Sequence, residues 1–304
     1  MYLFIINAFA GNGRGQRAWS KIEPAMMQKG IKFISISLHA SNAMELISTY
    51  INSNEIRWKA VVIVGGDGTI HSLLPALAGT GIPLALIPAG SGNDTARALG
   101  LPLKPLPALD ALLKDTVTTI DLIHTSTAAS VSELTLTAVA TGFDGAIAET
   151  VDRSFYKKWC NRLGIGSLAY IIALFQTLAS FRPFPVSITV DGTKHRYDKG
   201  WLIAVTNTSS YGGGLAICPD ADPRDYMLDI CIVHSCSPLQ LFALFPTILT
   251  GKHTKLRYVT MLKGRSIRIE PSADAKLHAL GDGEPLGSPP ITVELAPQTL
   301  EMIV

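Results

Sequence analysis

Short, wholly apolar runs alternate with helical spacings through the first hundred residues. Leu3–Asn7, Lys32–Leu38, Ala60–Val64 and Pro83–Ile87 read as strands. AVVIV at Ala60–Val64 is apolar at every position, the pattern of a strand covered on both faces. Between these runs, Arg17–Lys29, Ala43–Asn52 and Ile70–Ala78 carry helical periodicity, with Gly30 ending the first and Pro75 predicting a kink in the third. A further helix begins near Thr95. This βαβα rhythm predicts a doubly wound, mostly parallel α/β sheet. The pattern changes after Leu101. PLKPLP makes a Pro-rich connection to a short helix at Ala108–Lys114. Thr119–Ile123, Glu133–Thr141, Val186–Val190, Gly200–Asn207, Leu228–Val233, Ser266–Glu270 and Ile291–Leu295 then read as strands. Helices fall within Phe155–Ser180 and Leu239–Leu249. The second part is predicted to be a largely antiparallel β domain with inserted helices.

Composition narrows this picture. A chain of 304 residues has room for two domains. Twenty-six Lys and Arg against 24 Asp and Glu give a net charge of +2, too balanced for a partner held by the nucleic-acid backbone. With 47% hydrophobic and 16% charged residues, the chain can bury a large core, which excludes intrinsic disorder. Cys160, Cys218, Cys231 and Cys236 form no CxxC pair, pointing to a reduced compartment. The N-terminal apolar run is short and lacks a basic flank, so it reads as a strand and not as a signal peptide. Leu168–Phe181 falls short of the ~20 residues that span a bilayer. The expectation is a cytoplasmic protein, at most peripheral to the inner face of a membrane, with no transmembrane span.

Three glycine-rich turns follow the first, third and fourth strands of the α/β part. Gly65-Gly66-Asp67-Gly68-Thr69 stands directly between a buried strand and a helix. Its glycines let the backbone approach a ligand, and the amides of the turn and helix start suit phosphate oxygens. Asp67 would repel phosphate on its own, so its presence suggests a bridging Mg²⁺ or an ordered water. Gly90-Ser91-Gly92-Asn93-Asp94 follows the next strand. Successive βα turns of a parallel sheet emerge at one edge, so the two loops are predicted to face each other. Asp94 could also cap a helix. Asn7 with Gly11-Asn12-Gly13-Arg14-Gly15 is a third loop of this type, but neither a Walker A nor a GxGxxG motif.

Together with PAGSGNDTARALG (88–100), ATGFDG (140–145), YGGG (211–214), Pro219-Asp220-Ala221 with Asp225 and Asp229, and Asp282-Gly283-Glu284, these residues resemble the diacylglycerol kinase catalytic-domain family, specifically its bacterial lipid kinases. The resemblance runs through most of the chain. It implies an N-terminal doubly wound, Rossmann-like domain of the NAD kinase and diacylglycerol kinase type (residues 1–122, with 297–304 returning to it). A C-terminal antiparallel β-sandwich (123–296) is implied for the lipid. ATP is the implied phosphate donor, contacting Asn7, Ala8, Phe9, Ala10, Gly11, Ser37, Gly65, Gly66, Asp67, Gly68, Thr69, Ile70, His71, Ser91 and Asp94. Glu284 is the implied general base, with Asp67 assisting. Mg²⁺ is implied on the Asp225 side chain and the carbonyls of Asp222 and Met227, with Asp67 and Asp94 linked to it through water. The implied acceptor is a lipid at a membrane surface, diacylglycerol foremost, with no nucleic-acid partner; a homodimer is left open. Three positions depart from the family pattern: Tyr226 replaces a frequent Gly, His71-Ser72 a frequent Asn-Glu, and Ala8 a usual Pro.

The residues themselves suit these roles. Phosphoryl transfer needs positioning, charge neutralisation and an acceptor for the alcohol proton. Backbone amides, hard carboxylate oxygens and a glutamate in the turn GDGEPLG provide one of each. An NAD kinase-like enzyme and a non-catalytic lipid- or nucleotide-binding module are the rival readings. The apolar segments Ile165–Phe181 and Leu239–Leu249 read as core helices, or as a surface lining acyl chains or touching a bilayer, with Lys157, Lys158 and Arg162 near anionic headgroups. Tyr211–Gly214 reads as a mobile loop or a tight bend, pinned by Asn207.

Overall fold

The computed structural model describes the chain except residues 40–41, 54–55, 128–132, 154–165, 273–274 and 276. Lys157, Lys158, Arg162 and Cys160 lie outside the described residues. Strand β1 (Tyr2–Ile6) lies between β2 (Phe33–Ser37) and β3 (Ala60–Gly65), and β3 pairs β4 (Leu84–Pro88), all in parallel. β1, β3 and β4 are buried along their whole length. Helix α1 (Ala10–Gln28) and α5 (Pro105–Lys114) cover one face through Trp19, Ile22, Met26 and Leu109. On the other face, α2 (Ala43–Ile51) and α3 (Asp67–Leu77) pack Ile47, Ile70, Leu73 and Leu74 against the sheet. The span of α1 contains a left-handed turn at Gly11, Asn12 and Gly13, so its regular helix starts beyond Gly13, nearer the expected Arg17.

Two long strands carry the chain across the molecule. β5 (Val117–Thr127) and β15 (Ile291–Ile303) run antiparallel to each other, with a bulge between Leu295 and Thr299. β15 also pairs in parallel with β4 at Met302–Leu84, and antiparallel with β12 (Ser266–Pro271) at its other end. Positions 122/123 and 296/297 fall inside these two strands.

Beyond them the pairing is antiparallel. β12 continues to β8 (Phe184–Val190), β9 (Thr193–Thr206), β7 (Ala138–Gly142), β13 (Ala279–Gly281) and β14 (Glu284–Gly287). The second half of β9 also pairs β10 (Leu228–His234), which pairs β11 (Val259–Gly264). Ile188, Ile203, Ile230, Ile267 and Val293 fill the interior. A second core around Trp201, Phe143 and Leu244 lies beneath α6 (Phe143–Arg153), α7 (Gly166–Ser180) and α8 (Pro238–Ile248). The fold is thus a doubly wound α/β part joined to an antiparallel β part.

Several elements differ from expectation for physical reasons. Glu133–Thr141 divides into β6 (Glu133–Thr135) and β7, because the Leu136 and Thr137 amides donate to Asp282 instead of to a ladder. The strand expected at Gly200 begins at Thr193, where a polar hairpin with β8 conceals the apolar pattern. α6 was not expected, and neither were β11, β13 and β14. The last two are only 3 and 4 residues long, too short to show a period. Among the described residues, no helix is long and apolar enough to cross a membrane. Cys218, Cys231 and Cys236 are free and buried, and burial pushes Cys231 up to about 12 and Cys236 to about 11.

Candidate active site

The three glycine-rich turns meet at the carboxyl edge of the parallel strands. Asn7 Nδ2 donates to Thr69 Oγ1 at 2.9 Å, and Asn7 Oδ1 accepts from the Ala10 amide at 3.1 Å. This ties the first loop to the GGDGT loop. Gly66 and Gly90 touch backbone to backbone: a Cβ built on Gly66 would lie 2.6 Å from the Gly90 Cα. No larger residue fits at either position without separating the two loops.

Asp67 makes the third tie. Its Oδ2 accepts from the Asp94 amide at 3.1 Å and its Oδ1 from the Thr95 amide at 3.0 Å. These are the first amides of α4 (Asp94–Ala98), so Asp67 caps that helix from another loop. Asp94 is not the N-cap: Asn93 occupies that position without a side-chain cap bond, and its Oδ1 accepts from Gly90 instead. The Asp94 carboxylate turns away and accepts from the amides of Gly213 and Gly214, each at 2.9 Å. Burial lifts the Asp94 carboxyl above its usual range, the Gly213 amide opposes this, and the charge of Asp67 adds to it. Gly212, Gly213 and Gly214 all have positive φ, from 64° to 98°. That conformation aims successive amides at one carboxylate, and it gives YGGG a use the sequence did not disclose.

Asn207 does not pin this loop. Its Nδ2 donates to the carbonyls of Asp121 at 2.6 Å and Leu136 at 2.9 Å, holding β5 against the connection between β6 and β7.

Glu284 stands at the start of β14, beside the GGDGT loop. A Cβ on Gly68 would lie 3.7 Å from Glu284 Oε1. The turn before it is fixed by Asp282. That carboxylate accepts from the Leu136 and Thr137 amides at 2.8 Å each, and from the Thr137 hydroxyl. His71 Nδ1 lies 3.4 Å from Asp282 Oδ2. This contact raises the imidazole above its usual value, while burial opposes. His71 therefore links α3 to the Asp-Gly-Glu turn.

Three groups at this edge, Arg14, Arg97 and His39, were not singled out from the sequence. Arg14 donates through Nε to the Gly11 carbonyl at 3.0 Å and through Nη2 to Ser91 Oγ at 3.4 Å. Arg97 Nε donates to the Gly92 carbonyl at 3.1 Å. The only available signal was an arginine within NGRG and another within NDTAR. His39 Nε2 lies 3.0 Å from Asn7 Oδ1, and its ring meets that of exposed Phe9 at 4.5 Å. Ser37 ends β2 beside Ile6, one residue before Asn7. Ala8 and Ala10 flank Phe9 in the first loop, and Ile70, directly after the GGDGT turn in α3, is buried.

The 222–227 loop lies against β5. Asp222 pairs with Arg224 at 2.7 Å. Asp225 Oδ1 accepts from the Met227 amide at 3.0 Å, and Oδ2 lies 3.3 Å from Lys263 Nζ, which also reaches Asp229 at 3.1 Å. Tyr226 sits at φ 56°, the left-handed conformation that glycine adopts without strain and that costs a larger residue about 1–2 kcal/mol. Its amide donates to Asp121 Oδ2 at 2.8 Å. Burial raises Asp121 above its usual range, and the charges of Asp225 and Asp222 raise it further. Asp121, Asp222, Asp225 and Asp229 thus outnumber Arg224 and Lys263, and an oxygen-only set with surplus negative charge fits a hard cation in kind. Among the described residues, no three acidic, histidine or cysteine side chains group closely enough to hold an ion, so backbone carbonyls must complete any such site.

The chain is similar to known proteins over most of its length. Residues 1–125 match the model of the diacylglycerol kinase catalytic domain, and residues 137–304 match the YegS C-terminal NAD kinase beta sandwich-like domain. A diacylglycerol kinase of Mycobacterium tuberculosis is 33% identical over 98% of this chain and 93% of its own. The chain belongs to the diacylglycerol kinase catalytic-domain family. Another member, a diacylglycerol kinase of Bacillus subtilis, is 30% identical over 74% of this chain and 70% of its own. The crystal structure of a diacylglycerol kinase from Bacillus anthracis superposes with TM-score 0.73 at 23% identity, covering 99% of this chain and 96% of that one. At that identity the likeness is one of fold. At 99% coverage of this chain, the likeness takes in both the doubly wound part and the β part.

Proposed function

We propose that the protein is an ATP- and Mg²⁺-dependent lipid kinase that transfers the γ-phosphoryl group to a lipid hydroxyl, with diacylglycerol as acceptor and phosphatidic acid as product. One observation carries the reading: Glu284, from the β part, stands beside Gly68 at the start of α3, where the amides of the GGDGT turn emerge. Residues 1–122 and 297–304 form the nucleotide part in this reading, and residues 123–296 the lipid part. Both relatives quoted above carry the name diacylglycerol kinase, which supports this acceptor.

In this reading the amides of Gly66, Asp67 and Gly68 at the start of α3 hold the triphosphate, with the Asn7–Gly11 loop beside them; the Asn7, Ala10, Thr69 and Ile70 amides are already donated within the protein. Arg14 and Arg97 offset the charge of the triphosphate, with Ser91 positioned by Arg14. Ser37 and His71 border the same edge. Glu284 takes the proton of the acceptor hydroxyl as its oxygen bonds to the γ-phosphorus, and the bond to the β-phosphate oxygen breaks to release ADP. Asp67 positions the loops by capping α4. Mg²⁺ supplies positive charge when bound, with Asp225 and the carbonyls of Asp222 and Met227 as its holders; an ion there shares Asp225 with Lys263. The enzyme acts on lipid presented at a membrane surface, the inner face in a bacterial cell.

The test is phosphorylation of diacylglycerol in mixed micelles with labelled ATP. Wild type should form labelled phosphatidic acid only when Mg²⁺ is present. Glu284→Gln should be slower by roughly 10²–10⁴-fold at an unchanged thermal midpoint, because the side chain is exposed. Turnover of NAD in place of any lipid would overturn the acceptor, and nucleotide binding without any turnover would overturn the activity.

A further inference from the structure

Helix α8 is apolar on both its buried and its exposed face. Pro238–Ile248 contains no charged residue. Leu241, Leu244 and Ile248 are buried, and with Phe245, Phe143 and Ile147 they line a crevice beneath the helix. The opposite face is apolar as well. Leu239 is 76% exposed, Leu249 at the C-terminal end 64%, and Phe242 38%. Ala243 and Pro246 lie exposed between them at helical spacing. From α7, Phe175 is 52% exposed and meets the Phe242 ring at 5.3 Å, widening the patch across two helices. The polar side chains of this helix do not offset it. Gln240 accepts from the Ser237 amide, and the Thr247 hydroxyl donates to the Leu244 carbonyl. A surface helix bordering water carries polar residues on its outer face; this one does not.

The charge along the chain through and after α8 is one-sided. No Asp or Glu occurs from Ile230 to Ile269, whereas Lys252, Lys255, Arg257, Lys263, Arg265 and Arg268 do. Lys263 and Arg268 are paired with carboxylates. Lys252, Lys255 and Arg257, directly after α8, are exposed and form no ion pair among the described residues.

We propose that Phe175, Leu239, Phe242 and Leu249, bordered by Lys252, Lys255 and Arg257, form the surface by which the protein docks on an anionic lipid bilayer. The proposal rests on the lipid-acceptor reading and adds which face meets the membrane. Apolar side chains enter the boundary between headgroups and acyl chains, while the three cations meet lipid phosphates. A second copy of the chain would match the apolar stripe, but the adjoining cations of two such faces would repel each other. An anionic surface is complementary to both features.

The test is co-sedimentation with vesicles of phosphatidylcholine, with and without phosphatidylglycerol, over a salt series. Wild type should bind the anionic vesicles and release them as salt rises. Leu239→Ser with Phe242→Ser, and separately Lys252→Glu with Lys255→Glu, should each weaken binding by about tenfold or more at an unchanged thermal midpoint. Both should phosphorylate a short-chain, water-soluble diacylglycerol as wild type does. Unchanged vesicle binding in both variants, or no binding by wild type, would overturn the surface. So would a dimer in sedimentation velocity that the apolar variant dissociates without affecting vesicle binding. Vesicle binding is read without turnover. A protein that docks as described yet phosphorylates no lipid would therefore defeat the kinase reading and leave this surface standing.

Discussion

Single carboxylates and imidazoles decide how the site is held. Asp282 is the clearest case, since one buried carboxylate accepts two amides at 2.8 Å and the Thr137 hydroxyl. Asp282→Ala leaves those donors unpaired and frees the turn that carries Glu284. It should cost about 2–4 kcal/mol, seen as a lower denaturant midpoint at unchanged slope, and it should also slow turnover. Nothing in the string DGE marked Asp282 as an anchor, because its partners are amides more than 140 positions away. His253 makes a different prediction. Its ring is fully buried with Nε2 against the Ile217 carbonyl at 2.9 Å, and burial lowers its pKa below 6.5. The unfolded chain then binds a proton at a pH where the native state does not. Stability should therefore fall as pH drops below 6.5, and His253→Gln should flatten that part of the curve of thermal midpoint against pH.

Elements owe their positions here to neighbours more than to their own sequence. α4 has five residues and no side-chain cap of its own, too short to persist alone. Asp67 holds it from the preceding βα turn, and Asp94 then holds the YGGG loop. Asp67→Ala should loosen both links, lowering stability by about 1 kcal/mol and turnover by a much larger factor. A loss of stability without loss of turnover would confine Asp67 to a structural role. The pairing of the GGDGT and GSGND loops was readable in the sequence, since consecutive parallel strands place their turns at one edge. The YGGG contact was not, because a β-domain loop can reach that edge only once both parts are assembled. β13 and β14 eluded the pattern for another reason: with 3 and 4 residues, their pairing partners define them and their own alternation cannot.

At the scale of the whole molecule, β15 is the strand that joins the parallel and antiparallel parts of one continuous sheet. Its last residues are buried within the α/β part, with Leu300, Met302 and Ile303 each no more than 2% exposed. Removing 297–304 withdraws about 1.5–3 kcal/mol for each of these side chains. That sum is comparable to a domain's whole stability of roughly 5–15 kcal/mol, so the truncated chain should lose its cooperative thermal transition. The sequence by itself determined the parallel strands, the glycine-rich turns and the family, because buried strands and phosphate-type loops are local patterns of residue type and spacing. Only the tertiary structure decided that Glu284 stands beside Gly68, that Asp67 serves α4, and that α8 keeps an apolar face in water. Those facts depend on contacts between residues far apart in the chain, and no local pattern encodes a distance in space.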